Sequence, residues 1–128
     1  MTIELSMLLY TTLLLFVLVV GTAARNSLTM GASWAVSNRE ETARISPLSG
    51  RLKRTADNHK EGLLFFAPLA LIVAVAGLSS PQTALGSQIF FYSRLVHAAA
   101  YIAGIGVVRS IAWGAGIAGL LMMVLALI

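Results

Sequence analysis

Hydropathy rises and falls four times along the chain. Apolar stretches run from about Ile3 to Ala24, Gly62 to Leu78, Thr83 to Gly106 and Ser110 to Ile128. A helix needs ~20 residues, with a range of ~17–25, to cross a bilayer core, and each stretch reaches that length. Backbone groups in lipid must pair within their own segment. The pattern therefore predicts an all-α integral membrane fold, a four-transmembrane-helix bundle forming a single domain over residues 1–128.

Residues 26–50 are polar, with Gly31, Pro47 and Gly50 as breakers. Ser46 followed by Pro47 reads as an N-cap with proline at the first helical position. The second helix is predicted to begin there, well before its apolar part, so that its first turns project beyond the hydrocarbon. Ser79 to Thr83 reads as a tight turn, and Gly104 to Arg109 as the turn between the last two helices. The small-residue sequence Gly21 to Arg25 resembles a signal-peptide cleavage site. No Lys or Arg precedes the first apolar run, however, and Glu4 stands where positive charge belongs. The run is read as a retained span.

Composition supports a membrane environment. Hydrophobic residues are 58% and charged residues 11%, against the ~25% charge of ordinary soluble domains. Apolar surface in this quantity needs lipid or a large assembly to cover it. Cysteine is absent, which excludes disulfides and thiolate metal sites, and two histidines leave little for metal chemistry. The formal net charge of +4 does not point to nucleic acid, because no nucleic-acid motif accompanies it. The loop after the first span carries Arg25, Arg39, Arg44, Arg51, Lys53, Arg54 and Lys60; the loop after the third carries Arg109; the loop after the second carries no charge. The positive-inside rule places the first and third loops in the cytoplasm and both termini outside.

Two polar constellations stand out. Arg54, Asn58 and Glu61 are spaced i, i+4, i+7 and share one helical face, with Arg51 beside them, while His59 and Lys60 point elsewhere. That face is either an ordinary solvated helix end or a ligand site, in which arginine forks take carboxylates and Glu61 takes an ammonium. In the third stretch Arg94, His97 and Tyr101 are spaced i, i+3, i+7. An arginine at a span centre costs at least ~2.5–3.5 kcal/mol and faces a bundle interior with a partner. A structural ion pair is one reading of Arg94, with Glu61 as the membrane-proximal carboxylate at a different depth. His97 alone reads equally as a satisfied interior histidine, and Tyr101 as packing. Arg109-Ser110 sets topology in the bland reading; in the sharp one its guanidinium is catalytic and faces the same cavity as Arg54, Asn58 and Glu61. Gly114, Gly116 and Gly119, with Ala98, Ala99, Ala100, Ala103 and Gly104 opposite, read as close helix-packing surfaces. Met122 and Met123 read as lipid-facing or gap-filling.

Together Arg54-Asn58-Glu61, Arg94-His97-Tyr101 and Arg109-Ser110 resemble the MAPEG family, the membrane-associated proteins of eicosanoid and glutathione metabolism, and in particular its bacterial branch. The resemblance runs from about Pro47 to Trp113. It implies a homotrimer in a bacterial inner membrane, with glutathione, or a related low-molecular-weight thiol, between protomers at the cytoplasmic end. On that resemblance Arg25, Arg51, Arg54, Asn58, Glu61, Arg94, His97 and Tyr101 hold the tripeptide, and Arg109 with Ser110 is catalytic, the arginine stabilising the thiolate. Gly62 departs from the aromatic residue of several relatives, Trp113 from a tyrosine, and the segment between Tyr101 and Arg109 is one residue shorter and lacks a proline. The implied activity is a glutathione transferase or peroxidase acting on lipophilic small molecules delivered by membrane lipids. The alternatives are a family-like protein that binds a lipid or thiol without turnover, and a small multidrug transporter. The transporter wants a carboxylate deep in the first helix, where only Glu4 is present, at the edge.

Overall fold

The structure is a computed structural model that describes residues 1–41 and 46–128; the topology charge at Arg44 lies outside the described residues. The order is α1 (Ile3–Met30), a four-residue α2 (Ala32–Ala35), α3 (Pro47–Ala76), α4 (Pro81–Ala103) and α5 (Gly106–Leu127). Three of these, α1, α3 and α5, are long and apolar enough to cross a membrane. At 23 residues α4 has the length, but Arg94, His97 and its serines lower its hydropathy.

Local chemistry sets the ends. Ser46 caps α3, its hydroxyl accepting from the Ser49 amide at 3.1 Å with Pro47 next, where the sequence placed the start. Ser80 and Thr83 form a reciprocal capping box on α4. Gly77 (φ 67°) and Gly104 (φ 80°) end α3 and α4 in the left-handed conformation that a side chain disfavours. Two boundaries differ from expectation. The first helix continues past Ala24 to Met30, so Arg25 does not end it; polar Asn26 and Ser27 continue a helix that only Gly31 (φ 91°) stops. The last turn is confined to Gly104 and Ile105, so Gly106 and Arg109 already belong to α5.

The core has two apolar parts. Met7, Phe66, Ala70, Val73, Phe90, Leu120 and Met123 form one, and Leu18, Ala56 and Ala98 the other. Met123 is therefore gap-filling and buried. On α1, α3 and α4 the residues between these clusters in sequence include Thr11, Asn58, His59, Arg94 and His97, a polar layer across the bundle. His59 Nε2 lies 2.9 Å from the Thr11 carbonyl. A carbonyl only accepts, so Nε2 carries the proton and ties α3 to α1.

The α4/α5 seam depends on small residues. A Cβ on Gly119 would stand 2.6 Å from the Gly86 carbonyl oxygen, and one on Gly86 2.7 Å from that of Gly119. Gly116 is equally tight against Ser93 Oγ, whereas Gly114 faces open space and is no part of this contact. At the other end of the bundle Glu4, in the first turn of α1 at the edge of the span, is fully buried. Its carboxylate accepts from Thr83 Oγ1 at 2.5 Å and Ser79 Oγ at 3.0 Å, pinning the start of α1 to the α3–α4 turn.

Candidate functional site

The polar faces of α3 and α4 meet beside the N-terminal half of α5. The Arg94 side chain is buried and its Nη2 donates to Asn58 Oδ1 at 2.7 Å. The partner of Arg94 is thus the amide one turn before Glu61, and not Glu61, which is exposed. A guanidinium held at one edge by a neutral acceptor keeps most of its charge unbalanced. Its Nε has no hydrogen-bond partner among the described residues, and neither has Nδ1 of buried His97.

Nearer the α4–α5 turn the arginines gather. Arg51 Nε donates to the Ile102 carbonyl at 2.9 Å, one of the carbonyls a helix end leaves unpaired. Arg109 stacks its guanidinium 4.9 Å from the Tyr101 ring centroid, an arrangement that orients the cation without neutralising it. His97 meets the same ring edge-on at 5.5 Å. Among the described residues the ion pairs are Lys53–Asp57 and Lys60–Asp57, both exposed; Arg51, Arg54 and Arg109 take part in neither.

Three cavities follow one another along this interface. The outermost, about 150 Å³, is lined by Arg51, Arg54, Tyr101, Gly104 and Arg109. The next, about 310 Å³, shares Tyr101 and Arg109 with it and adds Asn58, His97, Ser110 and Trp113. The innermost, about 120 Å³, shares Asn58 and Trp113 and adds Glu61, Gly62, Arg94 and apolar walls. The path runs from a cationic mouth, through hydrogen-bonding groups, to an apolar end. Donors of this kind suit carboxylates and a thiolate, and Glu61 suits an ammonium.

Nine of the ten residues singled out in the sequence line these cavities. Arg25 is the exception; it is exposed on α1, outside all three. Ser110 lines the middle cavity, but its hydroxyl donates back to the Gly106 carbonyl at 3.0 Å. A model of the MAPEG family matches residues 5–128, nearly the whole chain. The chain belongs to the MAPEG family. Its helices accordingly make a multi-pass integral membrane protein. Comparisons with curated proteins and with solved structures returned no match.

Two features of this MAPEG chain were only partly legible in the sequence. Trp113, noted there as standing in place of a tyrosine, walls both inner cavities. His59 carries the α1 contact although it adjoins Asn58; one residue around a helix turns a side chain by about a quarter-circle, onto a different neighbour.

Proposed function

We propose that the protein is a membrane-bound glutathione-dependent transferase or peroxidase acting on lipophilic electrophiles. The observation that carries this reading is the outer cavity, where three arginines converge with no carboxylate in ion-pair range among the described residues. Such a group stays together because a ligand supplies the opposite charge.

Glutathione fits the donor set, with two carboxylates, one ammonium and a thiol to be met. Arg51 and Arg54 take a carboxylate at the mouth. Asn58 and His97, whose Nδ1 has no partner among the described residues, hold the polar backbone of the tripeptide, and Glu61 takes the ammonium. Bound there, glutathione supplies a thiolate nucleophile. Arg109, fixed over Tyr101, provides the positive charge that favours ionisation. A free thiol titrates near ~8.5 and nearby cations lower that value. The substrate enters from the bilayer along the apolar wall. In this reading the chain forms homotrimers in a bacterial inner membrane, with the arginine mouth facing the cytoplasm.

The test uses the full chain in detergent. Glutathione raises its melting temperature by mass action, and the protein conjugates glutathione to a small aromatic electrophile. Arg109→Ala retains the fold and loses most of the rate; a variant as active as the parent would reject the assignment. A melting temperature unmoved by millimolar glutathione would remove the thiol from the reading altogether. A shift without turnover of any electrophile or peroxide would leave a binding protein.

A further inference from the structure

The innermost cavity holds more than the thiol reading uses. Its walls are Phe65, Phe90, Ile117 and Leu120, and Gly62 opens the side toward Arg94. A Cβ on Gly62 would stand 3.4 Å from Phe90 Cζ and 3.5 Å from Arg94 Nε and Cζ. Any larger side chain there would extend into the cavity or displace its walls. The glycine therefore leaves the Nε edge of the guanidinium facing this space. Arg94 is 3% exposed, and its Nε–H has no acceptor among the described residues. A buried donor without an acceptor costs free energy that a ligand oxygen would recover.

We propose that this cavity binds the electrophile, and that its ligand is a small neutral carbonyl compound, a conjugated enone or enal of one ring or about six carbons, with its oxygen on Arg94 Nε. Size comes first. The cavity measures about 120 Å³, somewhat under the ~150 Å³ of an apolar cavity known to accept benzene. The head is an acceptor because Arg94 offers only donors. It is neutral because the apolar walls offer an ionic ligand no polar partner besides Arg94, while Glu61 at the rim is engaged by the glutathione ammonium. The body is apolar because four of the walls are.

The proposal rests on the glutathione reading and names its substrate class. The cavity shares Asn58 and Trp113 with the one that contains Arg109. Arg94 lies two helical turns from Tyr101, over which Arg109 is stacked. Conjugate addition uses two separated cations in this way. As a thiol adds, the C–S bond forms at the β-carbon and the C=C pair shifts toward the carbonyl oxygen, three bonds away. Water then returns a proton to the α-carbon, and the proton of the thiol leaves to solvent. Nothing is oxidised or reduced. One arginine faces the sulfur that loses charge and the other the oxygen that gains it, where a preorganised donor is most effective.

Three probes test this on the full chain in detergent: cyclohex-2-enone as substrate, cyclohexanone as an unreactive ligand, and methylcyclohexane as a hydrocarbon of similar size. Binding is followed by tryptophan fluorescence, since Trp113 forms part of the wall, and by melting temperature. Cyclohexanone is expected to bind at least tenfold more tightly than methylcyclohexane and to compete with cyclohex-2-enone. Gly62→Leu and, from the opposite wall, Ile117→Phe are each expected to raise the KM for cyclohex-2-enone at least tenfold while glutathione affinity stays within about twofold. Equal binding of ketone and hydrocarbon would overturn the proposal, as would parental KM in both filled variants. If glutathione itself fails to bind, the thiol reading falls and the fluorescence titration alone decides the cavity. Cyclohexanone binding lost in both filled variants then upholds the carbonyl site, and no binding by the parent removes it.

Discussion

At the scale of single residues, Asn58 has two separable duties. It supplies the acceptor for Arg94 Nη2 and it lines both inner cavities. Asn58→Ala leaves a buried guanidinium without its partner. A hydrogen bond to a charged group is worth about 1.5–3 kcal/mol, so the variant should melt lower and also bind glutathione less tightly. Asn58→Asp separates the duties. It keeps an acceptor for Arg94 and adds a negative charge that opposes the ligand carboxylates. Its melting temperature should match or exceed that of the parent while glutathione affinity falls about tenfold or more, measured by calorimetry and thermal unfolding. Equal losses in both variants would mean that Asn58 acts only through the fold. Arg109 is tested through pH. If it lowers the thiol pKa by two units, its differential stabilisation is about 2.7 kcal/mol, and Arg109→Ala should lose about fiftyfold in rate at pH 6.5, where half of the parental thiol and about a hundredth of the variant's is ionised. The deficit should shrink as pH rises past the ~8.5 of a free thiol, because the thiolate then forms unaided. A deficit constant from pH 6 to 9 would assign Arg109 a role other than ionising the thiol.

At the scale of helices, the sequence placed the start of α3 and the polar faces of α3 and α4 well, because capping and i, i+4 spacing are local properties. It misplaced the end of α1, where nothing local except Gly31 halts the helix. It set Glu61 at a different depth from Arg94 but did not name Asn58 as the arginine's partner. Depth along one helix is legible from spacing, but the relative axial position of two helices depends on the contacts that join them, and these are spread over distant positions. Two such contacts are testable. Gly119 lies against the Gly86 carbonyl, so Gly119→Ala should force α4 and α5 apart and cost about 1–3 kcal/mol, as overpacking does; thermal unfolding in detergent checks this. Glu4 draws Thr83 and Ser79 together at the end remote from the arginines. Glu4→Ala should lower the melting temperature while the shift produced by glutathione stays within error of the parental one. A lost ligand shift would place Glu4 in a pathway that reaches the site, which is what the transporter alternative requires.

At the scale of the molecule, charge and apolarity are arranged along one axis. Arg25, Arg51, Lys53, Arg54 and Arg109 collect toward the end where α1 closes, α3 begins and α4 turns into α5, whereas the Gly77–Ser80 turn bears no charge. The flanks between carry exposed Phe16, Val17, Leu64, Phe65, Val75 and Leu125, a surface that lipid or neighbouring protomers must cover. The positive-inside rule predicts that this cationic end faces the cytoplasm. The prediction can be made without background because the chain has no cysteine. A single thiol is introduced at Ser80, in the uncharged turn, or at Ser37, in the segment after α2; both positions are at least partly solvent-accessible. A membrane-impermeant maleimide applied to intact cells should label Ser80→Cys and leave Ser37→Cys unmodified until the membrane is opened. The reverse pattern would turn the arginine mouth away from the cytoplasm, where glutathione is abundant only inside the cell, and would separate the proposed site from its thiol. Labelling of both in intact cells would mean that the chain inserts in two orientations, so that its basic end alone does not determine the topology.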